Sequence, residues 1–299
     1  VCVLENVPDI SDIRAEIAIL EELGAKVKWL APTVLEIDTS TINTTQVPLE
    51  LGQKMRASYY FLGSMLSRFG EGSVPMPGGC NLGARPIDQH LKAFTAFGAE
   101  HSIDYAMVNV KSDNLSGAHV FFDTISVGAT INAMLAAVLA EGTTVIDNAA
   151  KEPHIVDVAN FLNTMGADIR GAGTDIIKIN GVKELKGNAT YSVVPDQIEA
   201  GTFMLAAIAS KGDITIRNCI TKHLESIIAK IEEIGGKWND LEKAKWRVRD
   251  MIDEGAAIID VGGESTRPGY KQITIQEEIE RVVPIIEMIK RNFDIPVCI

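Results

Sequence analysis

The chain has 299 residues, of which 46% are hydrophobic and 23% are charged, so it is long enough to bury one large core or two ordinary ones. Its formal net charge of −12 excludes a general basic surface for nonspecific binding of nucleic acid or anionic lipid, although a local arginine pocket for a small anion is compatible with it. We therefore expect a globular enzyme that acts on small molecules, with neither nucleic acid nor a membrane as a partner.

The cysteines indicate the compartment. The four of them have no paired or CxxC spacing, which argues against a disulfide framework and against a structural zinc site. No apolar run approaches the roughly 20 residues that a membrane span needs, and no signal-peptide pattern is present. We expect a cytoplasmic protein without metal or cofactor. The chain opens at Val1 without a methionine, so we interpret it as a piece of a longer sequence.

An internal repeat is the strongest sign of organisation. An amphipathic helix that ends in a Gly-Ala step, followed by two strands, occurs as "IAILEELGAKVKWLAPTVLEID", "HLKAFTAFGAEHSIDYAMVNV" and "VANFLNTMGADIRGAGTDIIKI", and a fourth copy begins as "IIAKIEEIGGKW". The helix-ending glycines are 74, 68 and 69 residues apart, at Gly24, Gly98, Gly166 and Gly235. Each of these glycines can adopt the left-handed conformation that closes a helix.

A second type of helix precedes the third copy. The stretch "TISVGATINAMLAAVLAEGTTVIDNA" predicts a helix that is apolar on nearly every side, followed by a strand, and such a helix is typical of a buried, central position. The repeating unit therefore has about two helices and three or four strands. We predict an α/β fold with some helices inside and sheets outside.

The repeat stops at Gly236, and a different pattern follows. Helix "LEKAKWRVRDMIDEGA", strand "AIIDVGG", helix "IQEEIERVVPIIEMIKRNF" and strand "IPVCI" alternate in the manner of a parallel βα arrangement buried on both faces. About two such units fit in these last 59 residues, and a closed βα barrel needs eight. The piece would leave its sheet with open edges.

A loop cysteine is the first candidate for chemistry. In "PMPGGCNLGARPIDQH", prolines and glycines predict a mobile loop that exposes Cys80, and Arg85 is close enough in sequence to stabilise its thiolate. The alternative is a loop cysteine without a role. "GGCNLGARP" is not a phosphate-binding P-loop, because no Gly-Lys-Ser/Thr follows it.

Three weaker candidates concern anion binding. "SVGAT" places Ser126 as the cap of a helix, whose free backbone N–H groups and positive dipole end suit a phosphate, although most capped helices bind nothing. Arg56 in "KMRAS" could hold a phosphate or carboxylate, and its alternative is a solvated surface arginine. His90, taken by itself, is more often a capping or surface histidine than a base.

Taken together, these stretches resemble one family. The order "KMRAS", "PGGCNLGARPIDQH", "SVGAT", "NAAKEPHIVDVANFL", "GAGTDIIKING" and "PDQIEAGTF" is similar to that of the UDP-N-acetylglucosamine 1-carboxyvinyltransferases, which are enolpyruvyl transferases of the EPSP synthase-like family. The resemblance covers Val1 to about Gly236. It implies two similar inside-out α/β domains, each built from three βαβαββ units, which agrees with the repeat.

The resemblance also implies a reaction. An enolpyruvyl group passes from phosphoenolpyruvate to the 3′-hydroxyl of UDP-N-acetylglucosamine, in the first committed step of peptidoglycan synthesis, and no cofactor is needed. Cys80 would protonate the methylene carbon, a role for a group whose proton affinity lies near neutrality. Arg85 and Arg56 would hold the phosphate and carboxylate groups, and His90 would support the loop and the arginines.

Other residues would contact the nucleotide. The resemblance assigns Ser126, Val127 and Gly128 to the diphosphate and places Asp196 where the chain crosses into the second domain. The family's "PDRIE" reads "PDQIE" here, so Gln197 replaces an arginine.

The resemblance divides the chain into three parts. Residues 1–195 would be the catalytic-loop domain without its N-terminal strand and helix, residues 196–236 the first unit of the second domain, and residues 237–299 a different fragment. Because most of the second domain would be missing, we expect activity to be impaired.

The last part resembles another family. "EGAAIIDVGGESTRPG" followed by "EEIERVVPIIEMI" is similar to dihydropteroate synthase, a TIM-barrel enzyme of folate biosynthesis. The resemblance implies that Thr266 and Arg267 belong to the pyrophosphate and aminobenzoate end of a site, and that Asp260 stands at the end of a barrel strand, where catalytic residues occur in this fold. The fragment lacks the other site segments, so we do not expect it to catalyse the condensation.

Three interpretations therefore stay open: an enolpyruvyl transferase, a binding module that holds a UDP-sugar without turnover, and a nonfunctional chimera that exposes apolar faces and aggregates. The seam "IGGKWND" is compatible with both families. We hypothesise that two coding sequences were joined there, by recombination or by misassembly of sequencing reads.

Overall fold

The computed structural model describes residues 1–76, 87–210, 212–233, 241–253, 255–262 and 273–298. The chain divides into two units, Val1–Pro195 and Asp196–Ile299. Every candidate residue from Arg56 to Gly128 belongs to the first unit, and Asp196 begins the second.

The first unit alternates helices and strands along its whole length. Its elements in chain order are β1 (Cys2–Glu5), α1 (Ser11–Glu22), β2 (Lys26–Ala31), β3 (Val34–Asp38), α2 (Leu49–Gly52), a 3-10 helix (Arg56–Tyr59), α3 (Tyr60–Phe69), β4 (Glu71–Pro75), α4 (Asp88–Ala96), β5 (Glu100–Asp104), β6 (Met107–Lys111), β7 (His119–Phe121), α5 (Val127–Ala137), β8 (Thr143–Asp147), α6 (Pro153–Thr164), β9 (Asp168–Arg170), β10 (Ile176–Asn180) and β11 (Ala189–Ser192).

The strands of this unit form three sheets. Their orders are β11-β1-β3-β2, β4-β6-β5 and β7-β8-β10-β9. Burial alternates along β6, β8 and β10, so one face of each of the two sheets that contain them is more covered than the other. Strand β1 pairs in parallel with β11, in the register Cys2↔Ala189, which joins the beginning of the unit to its end.

The predicted repeat is confirmed in three copies. Helices α1, α4 and α6 are each followed by a glycine with positive φ, namely Gly24 at +100°, Gly98 at +87° and Gly166 at +100°. An antiparallel pair then follows in each copy: β2–β3, β5–β6 and β9–β10. Glycine adopts this conformation without the steric cost that a Cβ brings, so it ends the helix and turns the chain into the strand. Gly235 lies outside the described residues.

Helix α5 is central, as its composition predicts. Nine of its eleven residues are buried, and it packs against α3, α4 and α6. The approach to α3 is close: a Cβ on Gly63 would lie 2.5 Å from the backbone oxygen of Asn132 and 2.7 Å from its Oδ1. Only glycine allows the two helices to meet at this distance.

The described part of the second unit contains fewer strands than the first unit. Its described elements are α7 (Gln197–Ser210), a 3-10 helix (Thr221–Leu224), α8 (Glu225–Glu233), α9 (Leu241–Asp253), β12 (Ile259–Asp260), α10 (Ile275–Asn292) and β13 (Val297–Cys298). Residues 212–220, between α7 and the following 3-10 helix, contain no strand.

The last elements do have the predicted parallel arrangement. Strands β12 and β13 pair in parallel, with Ile259 opposite Val297. A separate apolar cluster joins α9, β12 and α10 and includes Val248, Ile259 and Ile289. Helix α10 begins with a capping box, in which Thr274 and Glu277 bond reciprocally to each other's backbone. Two strands do not establish a barrel, so the TIM-barrel assignment of this piece stays a prediction.

None of the described helices combines the length and the apolar character needed to cross a bilayer.

The contact between α3 and α5 yields a stability prediction. We expect Gly63→Ala to lower the free energy of unfolding by about 1–3 kcal/mol, because the added methyl meets backbone and amide atoms that cannot move independently. Urea unfolding followed by circular dichroism measures the change. Gly187→Ala is the matched control, since the nearest atom to its added Cβ lies at 3.4 Å, and it should change stability much less. Equal losses in both variants would contradict this reading of the contact.

Candidate functional site

The beginning of α5 presents free backbone donors. Ser126 caps the helix, and its Oγ accepts a hydrogen bond from the backbone N of Ala129 at 3.2 Å. The backbone N and Oγ1 of Thr130 both bond to the carbonyl oxygen of Ser126. The N–H groups of Val127 and Gly128 have no acceptor among the described residues. The predicted cap is confirmed, and the two remaining donors and the helix dipole form a geometry suited to an anion.

Two aromatic side chains lie directly against this helix start. A Cβ added to Gly128 would clash with the Tyr59 hydroxyl and would lie 2.9 Å from Cε1 of His90. The rings of Tyr59 and His90 pack edge to face, with their centroids 4.8 Å apart. Gly128 is therefore needed for close packing, since any larger side chain would displace one of the two rings.

His90 is neutral in this setting. It lies in the first turn of α4 and is only 2% exposed. Burial, with a smaller contribution from the positive charge of Arg56, lowers its pKa to about 4, although Asp88 acts in the opposite direction. The expectation that His90 is a surface or capping histidine is wrong. The helical period turns it toward the interior, where a charged imidazole would be poorly solvated.

Arg56 is placed to meet an anion. It begins the 3-10 helix, is half-buried, and holds its guanidinium 5.1 Å from the centre of the Tyr59 ring, which is a cation–π contact. No carboxylate among the described residues pairs with it. Its positive charge acts on the ring of His90, where the negative charge of Asp88 acts in the opposite direction.

The structure thus brings together five of the residues predicted from the sequence: Arg56, His90 and Gly128 lie against Tyr59, and Ser126 and Val127 directly precede Gly128. Two residues of this cluster were not predicted from the sequence: Tyr59 itself, and Asn132, which is fully buried in α5. A usable signal for Asn132 was present, since it is an amide within an otherwise apolar helical stretch. A buried amide needs hydrogen-bond partners from neighbouring elements.

The other predicted residues lie elsewhere. Cys80, Arg85, Thr266 and Arg267 fall outside the described residues. Asp196 precedes α7, and its Oδ1 accepts a hydrogen bond from the backbone N of Ile198 at 2.7 Å, so it caps that helix.

Asp260, the last residue of β12, is exposed and pairs with Cys298 of β13 through the backbone. No group of three or more metal-ligating side chains occurs in the part of the chain that the structure describes.

A large cavity of about 750 Å³ lies away from this cluster, near the opposite end of α5. Helix α5 has eleven residues, or roughly 16 Å at 1.5 Å per residue, between the two places. The cavity wall carries three cations and three carboxylates, namely Arg68, Lys111, Lys183, Glu71, Asp113 and Glu141. Because the charges balance, the cavity has no evident preference for an anion, and the cluster around Tyr59 remains the candidate site.

The chain is similar in sequence to a family of enolpyruvyl transferases and to several of its named members. A family model described as EPSP synthase (3-phosphoshikimate 1-carboxyvinyltransferase) matches residues 1–266. The UDP-N-acetylglucosamine 1-carboxyvinyltransferase of Clostridium botulinum is 57% identical over 235 residues, which make up 79% of this chain and 56% of that protein. The UDP-N-acetylglucosamine 1-carboxyvinyltransferase 3 of Caldanaerobacter subterraneus subsp. tengcongensis is 55% identical over 78% of this chain and 55% of its own length. The chain therefore spans about half the length of the curated relatives it matches.

Solved structures support the fold. The enolpyruvyl transferase NikO from Streptomyces tendae has a TM-score of 0.60 at 24% identity, covering 69% of this chain and 49% of that one. An EPSP synthase from Acinetobacter baumannii has a TM-score of 0.54 at 19% identity, covering 69% of this chain and 47% of that one. These likenesses confirm the predicted α/β fold of the enolpyruvyl transferase type.

The C-terminal part is less clearly related. A dihydropteroate synthase from Clostridium difficile is 49% identical over 21% of this chain and 24% of that one, but its TM-score of 0.20 is too low to indicate a shared fold. The family match extends past Gly236 to residue 266, so it marks no boundary at the predicted seam. The dihydropteroate synthase assignment stays a prediction.

Glu16 on α1 and His90 have opposite effects on how the free energy of unfolding changes with pH. Its Oε2 is buried and has no hydrogen-bond partner in the part of the chain that the structure describes, and burial raises the pKa of the carboxyl to about 7. The folded chain holds this proton up to about pH 7 and the unfolded chain only to about pH 4.5, so the contribution of Glu16 to stability falls as the pH rises through that window. For His90 the unfolded chain takes up a proton below about pH 6.5 and the folded chain only near pH 4, so its contribution falls as the pH falls.

We therefore expect the substitution Glu16→Gln to reveal the effect of His90 on the pH dependence of stability. In this variant the free energy of unfolding should decrease by about 2 kcal/mol from pH 7 to pH 5, whereas in the wild type the two groups oppose each other and the change should be smaller. Urea titrations at several pH values provide the measurement. An identical pH profile in the wild type and the variant would exclude a shifted Glu16.

Proposed function

The chain belongs to the EPSP synthase family, and from this premise we propose that it derives from an enzyme that transfers the enolpyruvyl group of phosphoenolpyruvate to the 3′-hydroxyl of UDP-N-acetylglucosamine. The choice of this acceptor over a shikimate phosphate rests on the names of the relatives at 55–57% identity. We place the reaction in the cytoplasm, as the first committed step of peptidoglycan synthesis.

The observation that carries the proposal is the cluster at the start of α5. Two backbone N–H groups and the guanidinium of Arg56, none of which pairs with an acceptor or carboxylate of the described chain, lie close to the buried His90 and to Tyr59. Both proposed substrates are anions that carry phosphate groups, and such donors in a partly dehydrated setting bind phosphate more strongly than the same donors in water. A cluster of this kind suits the substrates of the relatives.

The proposed chemistry proceeds by addition and elimination. The sugar hydroxyl oxygen forms a bond to C2 of phosphoenolpyruvate and releases its proton to solvent, while the thiol of Cys80 gives its proton to C3, so that the double bond is consumed and a tetrahedral intermediate forms. A proton then passes from C3 to solvent and the bond between C2 and the phosphate oxygen breaks, which releases inorganic phosphate and restores the double bond. Arg56 and Arg85 hold the phosphate and carboxylate of phosphoenolpyruvate, and the segment Ser126–Gly128 holds the diphosphate of the nucleotide.

The proposed domains follow the sequence resemblance. Residues 1–195 form the catalytic-loop domain, residues 196–236 belong to the first unit of the second domain, with Asp196 at the crossing, and residues 237–299 are a dihydropteroate synthase-like piece with Asp260, Thr266 and Arg267 as remnants of its site. The matched region spans 55–56% of the length of these relatives.

Alkylation of Cys80 tests the proposal directly. An epoxide phosphonate such as fosfomycin should modify Cys80 faster in the presence of UDP-N-acetylglucosamine, because a bound nucleotide sugar completes the anion-binding surroundings of the thiol. Intact mass and peptide mapping follow the modification, and Cys80→Ser serves as the control. Modification at the same rate with and without the nucleotide sugar would argue that no substrate site is assembled.

Arg56 provides a second test. We expect Arg56→Gln to weaken binding of UDP-N-acetylglucosamine or phosphoenolpyruvate by about 10- to 100-fold, since a charge-assisted hydrogen bond contributes roughly 1.5–3 kcal/mol. Isothermal titration calorimetry measures the dissociation constants. Arg68→Gln is the matched control, because Arg68 bonds to Thr39 near the opposite end of the unit, and its affinity should stay near that of the wild type. A parallel loss in both variants would indicate general damage to the fold.

A further inference from the structure

The orientation of the Asn132 side chain is determined by its neighbours. Its Oδ1 lies 3.0 Å from the backbone N of Gly63, and its Nδ2 lies 3.1 Å from the carbonyl oxygen of Tyr59. A backbone N–H only donates and a carbonyl oxygen only accepts. The reversed amide would place two donors together and two acceptors together, so this orientation is the one that satisfies both contacts.

This orientation determines which nitrogen of His90 carries the proton. The Nδ2 of Asn132 also lies 2.9 Å from Nδ1 of His90, and an amide nitrogen donates. Nδ1 must therefore accept, so the proton of the neutral ring is on Nε2. Both side chains are almost completely buried, and the contact is shielded from competing water.

The other ring nitrogen of His90, Nε2, is next to the candidate site. Cε1 of His90 lies against Gly128, with Nδ1 on one side of it engaged by Asn132 and Nε2 on the other. Nε2 has no acceptor among the described residues. Arg56 is close enough for its charge to act on the ring, and the backbone N–H groups at the start of α5 are also without acceptors in the described chain.

We propose that Asn132 is a positioning residue that holds His90 as the Nε2–H tautomer, so that Nε2–H donates a hydrogen bond to a phosphate oxygen of the ligand bound at the start of α5. This inference rests on the proposed function, because it names a further contact of the same anion site. His90 is then a neutral donor and not a general base, since its Nε2 already carries a proton.

The arrangement has a physical advantage. A donor whose charge is fixed at zero does not depend on pH across the neutral range, and its hydrogen bond is oriented before the ligand arrives. Arg56 supplies the positive charge, and Asp88 is the carboxylate that acts on the ring from α4. Asn132 therefore orients His90, and Arg56 supplies the positive charge of the site.

Long-range ¹H–¹⁵N NMR of the whole chain tests the tautomer without any substrate. At pH 7.5 we expect Nε2 of His90 to show the shift of a proton-bearing nitrogen and Nδ1 that of an unprotonated one, with the signals assigned by their loss in His90→Asn. Titration with inorganic pyrophosphate should then shift the Nε2 signal, whereas uridine, which has no phosphate, should not. A proton on Nδ1, a doubly protonated ring, or an equal response to uridine and pyrophosphate would overturn the proposal, as would no response at Nε2.

A matched pair of variants separates positioning from folding. In Asn132→Asp the new carboxylate only accepts, so Nδ1 of His90 should gain a proton and its signal should move to the protonated type. Asn163→Asp is the control, because Asn163 likewise bonds one backbone N and one backbone O, both of Ile169, and it should leave the His90 spectrum unchanged.

A Nδ1 signal that stays unprotonated in folded Asn132→Asp would refute the role of Asn132. If that variant does not fold, the wild-type spectrum and its pyrophosphate titration still decide the proposal. The outcome is separable from that of the proposed function: the tautomer and the pyrophosphate response can be present while UDP-N-acetylglucosamine fails to accelerate alkylation of Cys80, which would reject the nucleotide sugar as substrate and leave this inference standing.

Discussion

The amide of Asn132 is the interaction on which the first unit depends most. It lies in the middle of a helix whose other buried side chains are mostly apolar, and it bonds to Gly63 on α3, to Tyr59 in the 3-10 helix and to His90 on α4. Leaving any of these buried groups without a partner would cost roughly 1–3 kcal/mol. Three elements that are distant in sequence are therefore held in one register, and Gly63 permits the close approach that the hydrogen bonds require.

The same contact organises the candidate site. Because the 3-10 helix and α4 are held against α5, Tyr59 and His90 meet at Gly128, and Arg56 reaches the space beside them. The polar groups there either satisfy one another inside the core or remain available at the start of α5. The buried hydrogen bonds of Asn132 and the donors of the candidate site thus belong to one network, and a change at Asn132 would alter the geometry of those donors.

Two helices of similar composition, one in each unit, differ in how much of them is buried. Both α5 and α7 are rich in Ala and apolar residues, yet nine residues of α5 are buried, whereas only Ala200 and Gly201 are buried in α7. Three sheets surround the helices of the first unit, and the described part of the second unit has one pair of short strands. Burial of an apolar helix therefore depends on the layers around it, and Ile198 and Phe203 of α7 are exposed.

The sequence by itself determined the features that depend on neighbouring residues. The glycines at Gly24, Gly98 and Gly166 end helices through their own backbone freedom, Ser126 caps α5 within one turn, and the apolar composition of α5 requires burial. Only the tertiary structure decided that His90 is buried and that Tyr59 and Asn132 belong to the site, because the hydrogen bonds of Asn132 to these residues join positions 42 and 73 apart. It also decided that residues 212–220 form no strand, since a strand needs a partner that local sequence does not specify.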